Sequence, residues 1–238
     1  MTRTDNISYL TFDVFGTVVD WRASLIAAVE KVALDKSVAL DGVAFVDEWK
    51  TCYRSGMDRV NSGSEPWTNV DVIYRRKLDQ LIEEYGLTSL SESERDHLNR
   101  AWTRLTPWPD AVTGLKRLQQ GFVVSTLSNG NFVWLVEMAR YGGLSWDCIL
   151  TAENARRYKP DPAVYQMAIE LFGGAPEQIM MVAAHNYDLG HAASHGMRTA
   201  FVRRPVEYGP KQQTDLEAEK DWDVVADDLI DLAEQLGV

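Results

Sequence analysis

The chain has 238 residues, 24 Lys and Arg against 35 Asp and Glu, and a formal net charge of −11. A hydrophobic content of 45% supports a buried core and excludes a globally disordered chain. The acidic balance disfavours non-specific binding to nucleic acid or anionic membranes, and no apolar run approaches the ~20 residues that span a bilayer. The two cysteines, Cys52 and Cys148, sit in no motif and read as free thiols of a reducing compartment. The opening segment, MTRTDNIS, lacks a signal-peptide layout, so a soluble cytoplasmic protein is expected.

Residues 7–13 predict a short buried strand that ends on Asp13 and turns at Gly16 and Thr17. From about 22 to 105 the pattern is helical. Leu25, Ile26, Val29, Val32 and Ala33 form one apolar stripe, and Phe45, Trp49, Cys52 and Met57 a rougher one. Thr68 with Asp71 and Ser91 with Glu94 have capping-box spacing. Pro107 and Pro109 close this block.

Beyond it the texture alternates. Residues 110–119 predict a helix, Phe122 to Leu127 a strand, SNGN a loop, and the stretch to about 140 another helix. Asp161-Pro162 is a helix start, since Pro is preorganised for the first helical position. Ile179 to Ala184 and Thr199 to Val202 predict further strands. Strands alternating with helices predict an α/β fold with a doubly wound, Rossmann-like parallel sheet. The expected division is an α/β core of residues 1–21 and 106–238 with a helical cap inserted at 22–105. The acidic stretch Asp215 to Asp231 reads as solvated surface.

Open parallel sheets bind ligands at the carboxyl ends of their strands. Asp13, Ser128 and the segment 184–188 fall at such ends. Asp13 reads either as a nucleophile in a cleft or as a cap of the following turn. The Thr17 hydroxyl lies near it in sequence. Ser128 and Asn129, between a strand and a helix, can bind an anion or simply satisfy their turn. Lys159, held before Pro160, can neutralise Asp13 or lie on the surface. His191 and His195 have metal-binding spacing but lack a third ligand, and read as helix-surface histidines.

The pieces FDVFGTVVD, STLSNGN, YKPDPAVY and MMVAAHNYDL occur in the order and spacing of the haloacid dehalogenase superfamily. Over essentially its whole length the chain resembles the type II (S)-2-haloacid dehalogenases. The resemblance implies that Asp13 attacks a haloacid and that Ser128 holds the substrate carboxylate. It also implies that Asn129 helps take the halide and that Tyr165 sits near Asp13. Asp188 would orient the water of the second step. His185 stands where the family has an asparagine, and reads as a base, a donor or a packed turn residue. The family draws a halide-binding arginine from its cap. Here Lys50 is the nearest match, with Arg54 one turn on. Trp21, Trp49 and Trp67 are candidate pocket walls or core. Relatives are often dimers, so a homodimer is expected.

Two departures bear on the reaction. Phosphatases of the superfamily carry a second acid two residues after the nucleophile and another in the loop before Asp188; here those positions are Phe15 and Ala184. Phosphoryl transfer needs a metal to screen a multiply charged anion and an acid to protonate the leaving oxygen. A haloacid is a monoanion, and a halide leaves without a proton. The expectation is therefore a dehalogenase using no metal or other cofactor. The alternatives are a magnesium-dependent phosphatase and a non-catalytic small-anion-binding protein.

Overall fold

The computed structural model describes residues 6–238; the first five, and with them most of the MTRTDNIS segment, lie outside the described residues. Strand β1 (Tyr9–Phe12) is followed by β2 (Val19–Asp20). Helices α1 (Trp21–Asp35), α2 (Gly42–Lys50), α3 (Cys52–Asn61), α4 (Val70–Glu84) and α5 (Glu92–Asn99) come next, then a 3₁₀ turn at Arg100–Thr103. β3 (Thr106–Pro107) pairs antiparallel with β2, so the helical block is entered and left through one short ribbon.

The remainder alternates. In order come α6 (Ala111–Leu118), β4 (Val123–Ser128), α7 (Phe132–Gly142), β5 (Cys148–Thr151) and α8 (Ala152–Ala155). Then follow α9 (Pro162–Leu171), β6 (Ile179–Ala183), α10 (Asn186–Ser194), β7 (Arg198–Val202), β8 (Val224–Ala226) and α11 (Leu229–Gln235). Six strands form one parallel sheet in the order β5-β4-β1-β6-β7-β8. This is the doubly wound α/β fold that the alternation predicts. The order reverses beside β1, and Phe12 pairs with both Thr126 and Val182. Asp13 and the loops after β4 and β6 therefore emerge at one edge, at the switch point where such sheets bind ligands.

Local chemistry explains the boundaries. Ser91 and Glu94 form the expected capping box on α5, and Asp161 caps α9 with Pro162 in the first turn. The Thr68–Asp71 box does not form. Asn69 occupies the N-cap of α4, and the Thr68 hydroxyl donates instead to Glu65 Oε1 at 2.9 Å. Asp215 to Asp231 is more than solvated surface: it contains β8, and Asp228 caps α11.

Apolar side chains pack on both faces of the sheet. One cluster joins Leu10, Phe12 and Val182 to the helical block, and the other holds Met181, Ala183 and Phe201 against α9 and α10. In the helical block an aromatic stack fills the space beneath the cleft. Tyr74 and Trp102 stack with centroids 3.9 Å apart, and Trp49 meets Trp102 edge-on at 5.8 Å. Among the described residues, no helix is long and apolar enough to cross a membrane.

Candidate active site

Asp13 follows the last residue of β1 and is nearly buried, 7% exposed. Its Oδ1 accepts from Lys159 Nζ at 3.0 Å, and its Oδ2 accepts from the Thr17 hydroxyl at 2.9 Å. Burial alone would raise its pKa. The charges of Lys159 and His185 overcome that and hold the carboxyl well below the usual carboxylate range. Asp13 is thus an ionised carboxylate at neutral pH, which a nucleophile requires. Thr17 links it to the next loop, because its Oγ1 also accepts from Ala184 N–H at 2.9 Å.

Lys159 is buried, and its ammonium bridges Asp13 and Asp188. Burial works against its charge, but the two carboxylates outweigh it and raise its pKa above the ordinary lysine value. Its backbone is set from two sides. Lys159 N–H donates to Asn129 Oδ1 at 2.7 Å. Asn61 of α3 brackets the preceding residue, accepting from Tyr158 N–H at 2.9 Å and donating to Tyr158 O at 2.8 Å. A helical-block residue thereby fixes the lysine of the sheet edge.

The other predicted residues divide into those at the cleft and those behind it. A cleft of about 180 Å³ opens between the sheet edge and the helical block. Asp13, Phe15, Lys50, Arg54 and His185 all line it. Phe15 packs edge-on to Trp102, with centroids 6.0 Å apart. Asp188 is fully buried in the first turn of α10, and Tyr165 donates to its Oδ1 at 2.6 Å. Tyr165 therefore supports Asp188 and lies outside the cleft lining. Ser128 is fully buried and accepts from Gly130 N–H at 3.1 Å. The amide nitrogen of Asn129 faces Lys159 O and the Tyr53 hydroxyl, each at 3.3 Å.

Of the three candidate tryptophans, Trp21 and Trp49 are core and Trp67 stacks on Tyr158 at 4.8 Å. His191 and His195 stack against Tyr165, as side chains of the helix surface.

Lys50 sits in an aromatic cage. Its Nζ lies 3.8 Å from the Tyr53 ring centroid and 4.8 Å from that of Trp21, and it donates to the Tyr74 hydroxyl at 3.4 Å. Burial pushes its pKa down to about 8, against the opposing pull of Glu207 and Asp13. A compact cation in an apolar setting suits a departing halide. If it serves that role, halide release falls as pH rises through about 8 and Lys50 loses its proton. In Lys50→Met that alkaline limb disappears and the rate drops by roughly 10²-fold, the size of one lost anion-stabilising donor. An unchanged pH profile in the variant would remove Lys50 from this role.

Glu207 is a cleft residue that sequence reasoning missed. It lies in the loop after β7, is 2% exposed, and lines the cleft. Its Oε2 is 3.0 Å from His185 Nε2, and its Oε1 accepts from Trp21 Nε1 at 2.9 Å. Arg204 anchors the loop through a buried pair with Asp110 and a 2.9 Å bond to Thr17 O. Gly16 makes room for the carboxylate: its φ is +89°, and a Cβ there would overlap the Glu207 carboxyl group. Gly16→Ala is expected to destabilise the fold by about 1–3 kcal/mol or more from backbone strain alone. A denaturant midpoint equal to that of the parent would show that the loop yields without cost.

Residues 7–196 match the family model for haloacid dehalogenase-like hydrolases. An (S)-2-haloacid dehalogenase of Burkholderia cepacia is 27% identical over 217 residues, covering 86% of this chain and 87% of the relative. The crystal structure of a defluorinating L-2-haloacid dehalogenase superimposes with a TM-score of 0.95 at 41% identity, covering 99% of this chain and 98% of the other. Another L-2-haloacid dehalogenase structure gives a TM-score of 0.91 at 44% identity, covering 97% and 100%.

Proposed function

The chain belongs to the haloacid dehalogenase-like hydrolases, and on that footing we propose that it hydrolyses the carbon–halogen bond of short 2-haloacids through an ester on Asp13. One observation carries this reading. An ionised carboxylate at the switch point faces a small cleft across which Lys50 and Arg54 supply positive charge. The cleft volume of about 180 Å³ lies below the roughly 300–1,000 Å³ of sites for drug-sized ligands, which favours substrates of two or three carbons.

In the first step an Asp13 oxygen attacks C2 in line, the carbon–halogen bond breaks, and the halide leaves with the bonding pair. Lys50 and Arg54 face the departing charge. Phe15 presents a hydrocarbon wall where phosphate chemistry would place an acid, and Ala184 offers no carboxylate to a divalent ion. In the second step water attacks the ester carbonyl, releasing a 2-hydroxy acid and restoring Asp13. Asp188 acts through Lys159, and His185 stands beside the ester. Displacement at C2 inverts its configuration, while attack at the carbonyl leaves C2 untouched. Substrate anion and halide are both single charges, within reach of the cations present.

The test is halide release from fluoroacetate, chloroacetate and (S)-2-chloropropionate, each with EDTA and with magnesium. Release that persists in EDTA supports the proposal, and the ranking identifies the halide the cleft accommodates. Magnesium-dependent cleavage of a phosphate ester without any halide release would replace it.

A further inference from the structure

The hydrolytic half of the reaction needs a group that removes a proton from water, and the geometry separates two candidates. Asp188 has both oxygens engaged, one by Lys159 and the other by the Tyr165 hydroxyl. It is fully buried and does not line the cleft. His185 does line the cleft, beside Asp13. Its Nε2 faces both Glu207 oxygens, at 3.2 and 3.0 Å. A carboxylate can only accept, so Nε2 carries a hydrogen. Nδ1 is then the position turned toward Asp13. It is buried and lies 3.2 Å from Asp13 Oδ2, the oxygen of the nucleophile.

We propose that His185 is the general base that takes a proton from the water attacking the Asp13 ester, and that Glu207 is the positioning residue that sets its tautomer. The inference rests on the ester mechanism of the preceding section. It adds to that mechanism a carboxylate–imidazole pair, a recurrent way of orienting a base.

The groups around His185 make its role depend on the state of Asp13. Facing it are Asp13, Glu207 and the Tyr208 hydroxyl, 3.4 Å from Nε2; the Tyr187 ring is 5.8 Å away, and Lys50 and Arg54 lie along the same cleft. Burial opposes protonation, but Glu207 and Asp13 outweigh it and raise the imidazole well above its ordinary range. The resting enzyme thus holds an imidazolium between two carboxylates. Esterification removes the Asp13 charge. The imidazolium then gives its Nδ1 proton to solvent through the cleft, which is the one proton that haloacid hydrolysis releases.

Neutral His185 next accepts a proton from water as the water oxygen bonds to the ester carbonyl carbon. The tetrahedral centre collapses, the bond from that carbon to the substrate oxygen breaks, and this oxygen takes the proton from His185. Asp13 is left as a carboxylic acid and passes its proton to His185, restoring the resting pair. Oxygen, protons and charge balance over the cycle.

Glu207→Gln makes a sharp probe because Trp21 already claims one oxygen. The oxygen of the new amide would keep the Trp21 bond. Its NH₂ would then take the nearer position, 3.0 Å from His185 Nε2, and favour Nε2 as an acceptor over the 3.2 Å contact to the amide oxygen that Trp21 already holds. The hydrogen would move to Nδ1, the wrong tautomer for a base. The experiment mixes parent, Glu207→Gln and His185→Ala with excess chloroacetate. It follows halide by rapid quench and the intact protein by mass spectrometry.

The expected result is one halide per active site released in a burst by both variants. Steady-state turnover then falls by about 10²–10⁴-fold, the usual range for general-base loss, and the Asp13 ester accumulates. In Glu207→Gln the base limb of the residual pH profile moves to lower pH, since the charge that raised the imidazole is gone. Two outcomes would overturn the inference: parent-like turnover without ester in either variant, or loss of burst and turnover together in both. A parent enzyme that releases no halide would instead remove the dehalogenase reading itself.

Discussion

Asp13→Asn is expected to release no halide, neither in a first turnover nor in many, with a rate lower by at least about 10⁴-fold. The side chains have nearly the same shape, but the amide is not a nucleophile, and the other carboxylate of the cleft, Glu207, is held by Trp21 and His185. The substituted amide can keep its oxygen toward Lys159, which retains Asp188 as its second partner. The fold is therefore expected to survive, with an unchanged far-ultraviolet spectrum and a cooperative thermal transition. Ion chromatography over hours checks the chemistry. Activity within tenfold of the parent would remove Asp13 from the mechanism.

Lys159→Met is the second large effect, and it strikes stability as well as rate. The ammonium is the cation shared by two buried carboxylates. Removing one partner of a buried ion pair costs about 3–5 kcal/mol, because the remaining charge keeps its desolvation penalty. In this variant burial pushes the Asp13 carboxyl upward once the Lys159 charge no longer opposes it, so proton uptake in the folded state becomes easier. A raised folded-state pKa stabilises as pH falls. The variant's deficit in unfolding free energy therefore shrinks on acidification, which denaturant curves at pH 8 and pH 5 measure. Turnover falls by roughly 10³-fold or more, since Asp13 loses the first of the two charges that keep it ionised. A deficit independent of pH would mean that the carboxylates are relieved in another way.

The central strands were legible because burial on both faces writes them as continuous apolar runs; Ile179 to Ala183 is the clearest. The edge strands carry no such run. β5 is CILT, with two half-buried residues, and β8 is the three-residue VVA within an acidic stretch. The β2–β3 ribbon has two residues per strand, too few for any periodicity.

The same distinction holds for the site. Asp13, Lys159 and His185 at strand ends or in loops, and Asp188 in the first turn of α10, stand at positions that the motifs mark. Glu207 belongs to no motif. Its approach to His185 follows from β6 and β7 being neighbours, so that the loops after both strands emerge at one edge. The parallel pairing was the available signal: it directs any carboxylate just beyond β7 toward the loop before α10. Asn61 was hidden for a different reason, since its tie to the lysine loop joins segments 97 residues apart. Tyr165 shows a motif position whose contact differs from the simplest expectation, for it serves Asp188 rather than the cleft.

Covalent attack by Asp13 is the claim on which the mechanism depends, and oxygen labelling in a single turnover tests it most directly. Enzyme in excess over chloroacetate reacts in water enriched in ¹⁸O. The glycolate and the peptide containing Asp13 are then weighed by mass spectrometry. The account predicts glycolate with unlabelled oxygen at C2 and one ¹⁸O in the Asp13 carboxylate. Labelled glycolate with an unlabelled Asp13 would mean that water attacks C2 directly, and would contradict the ester mechanism.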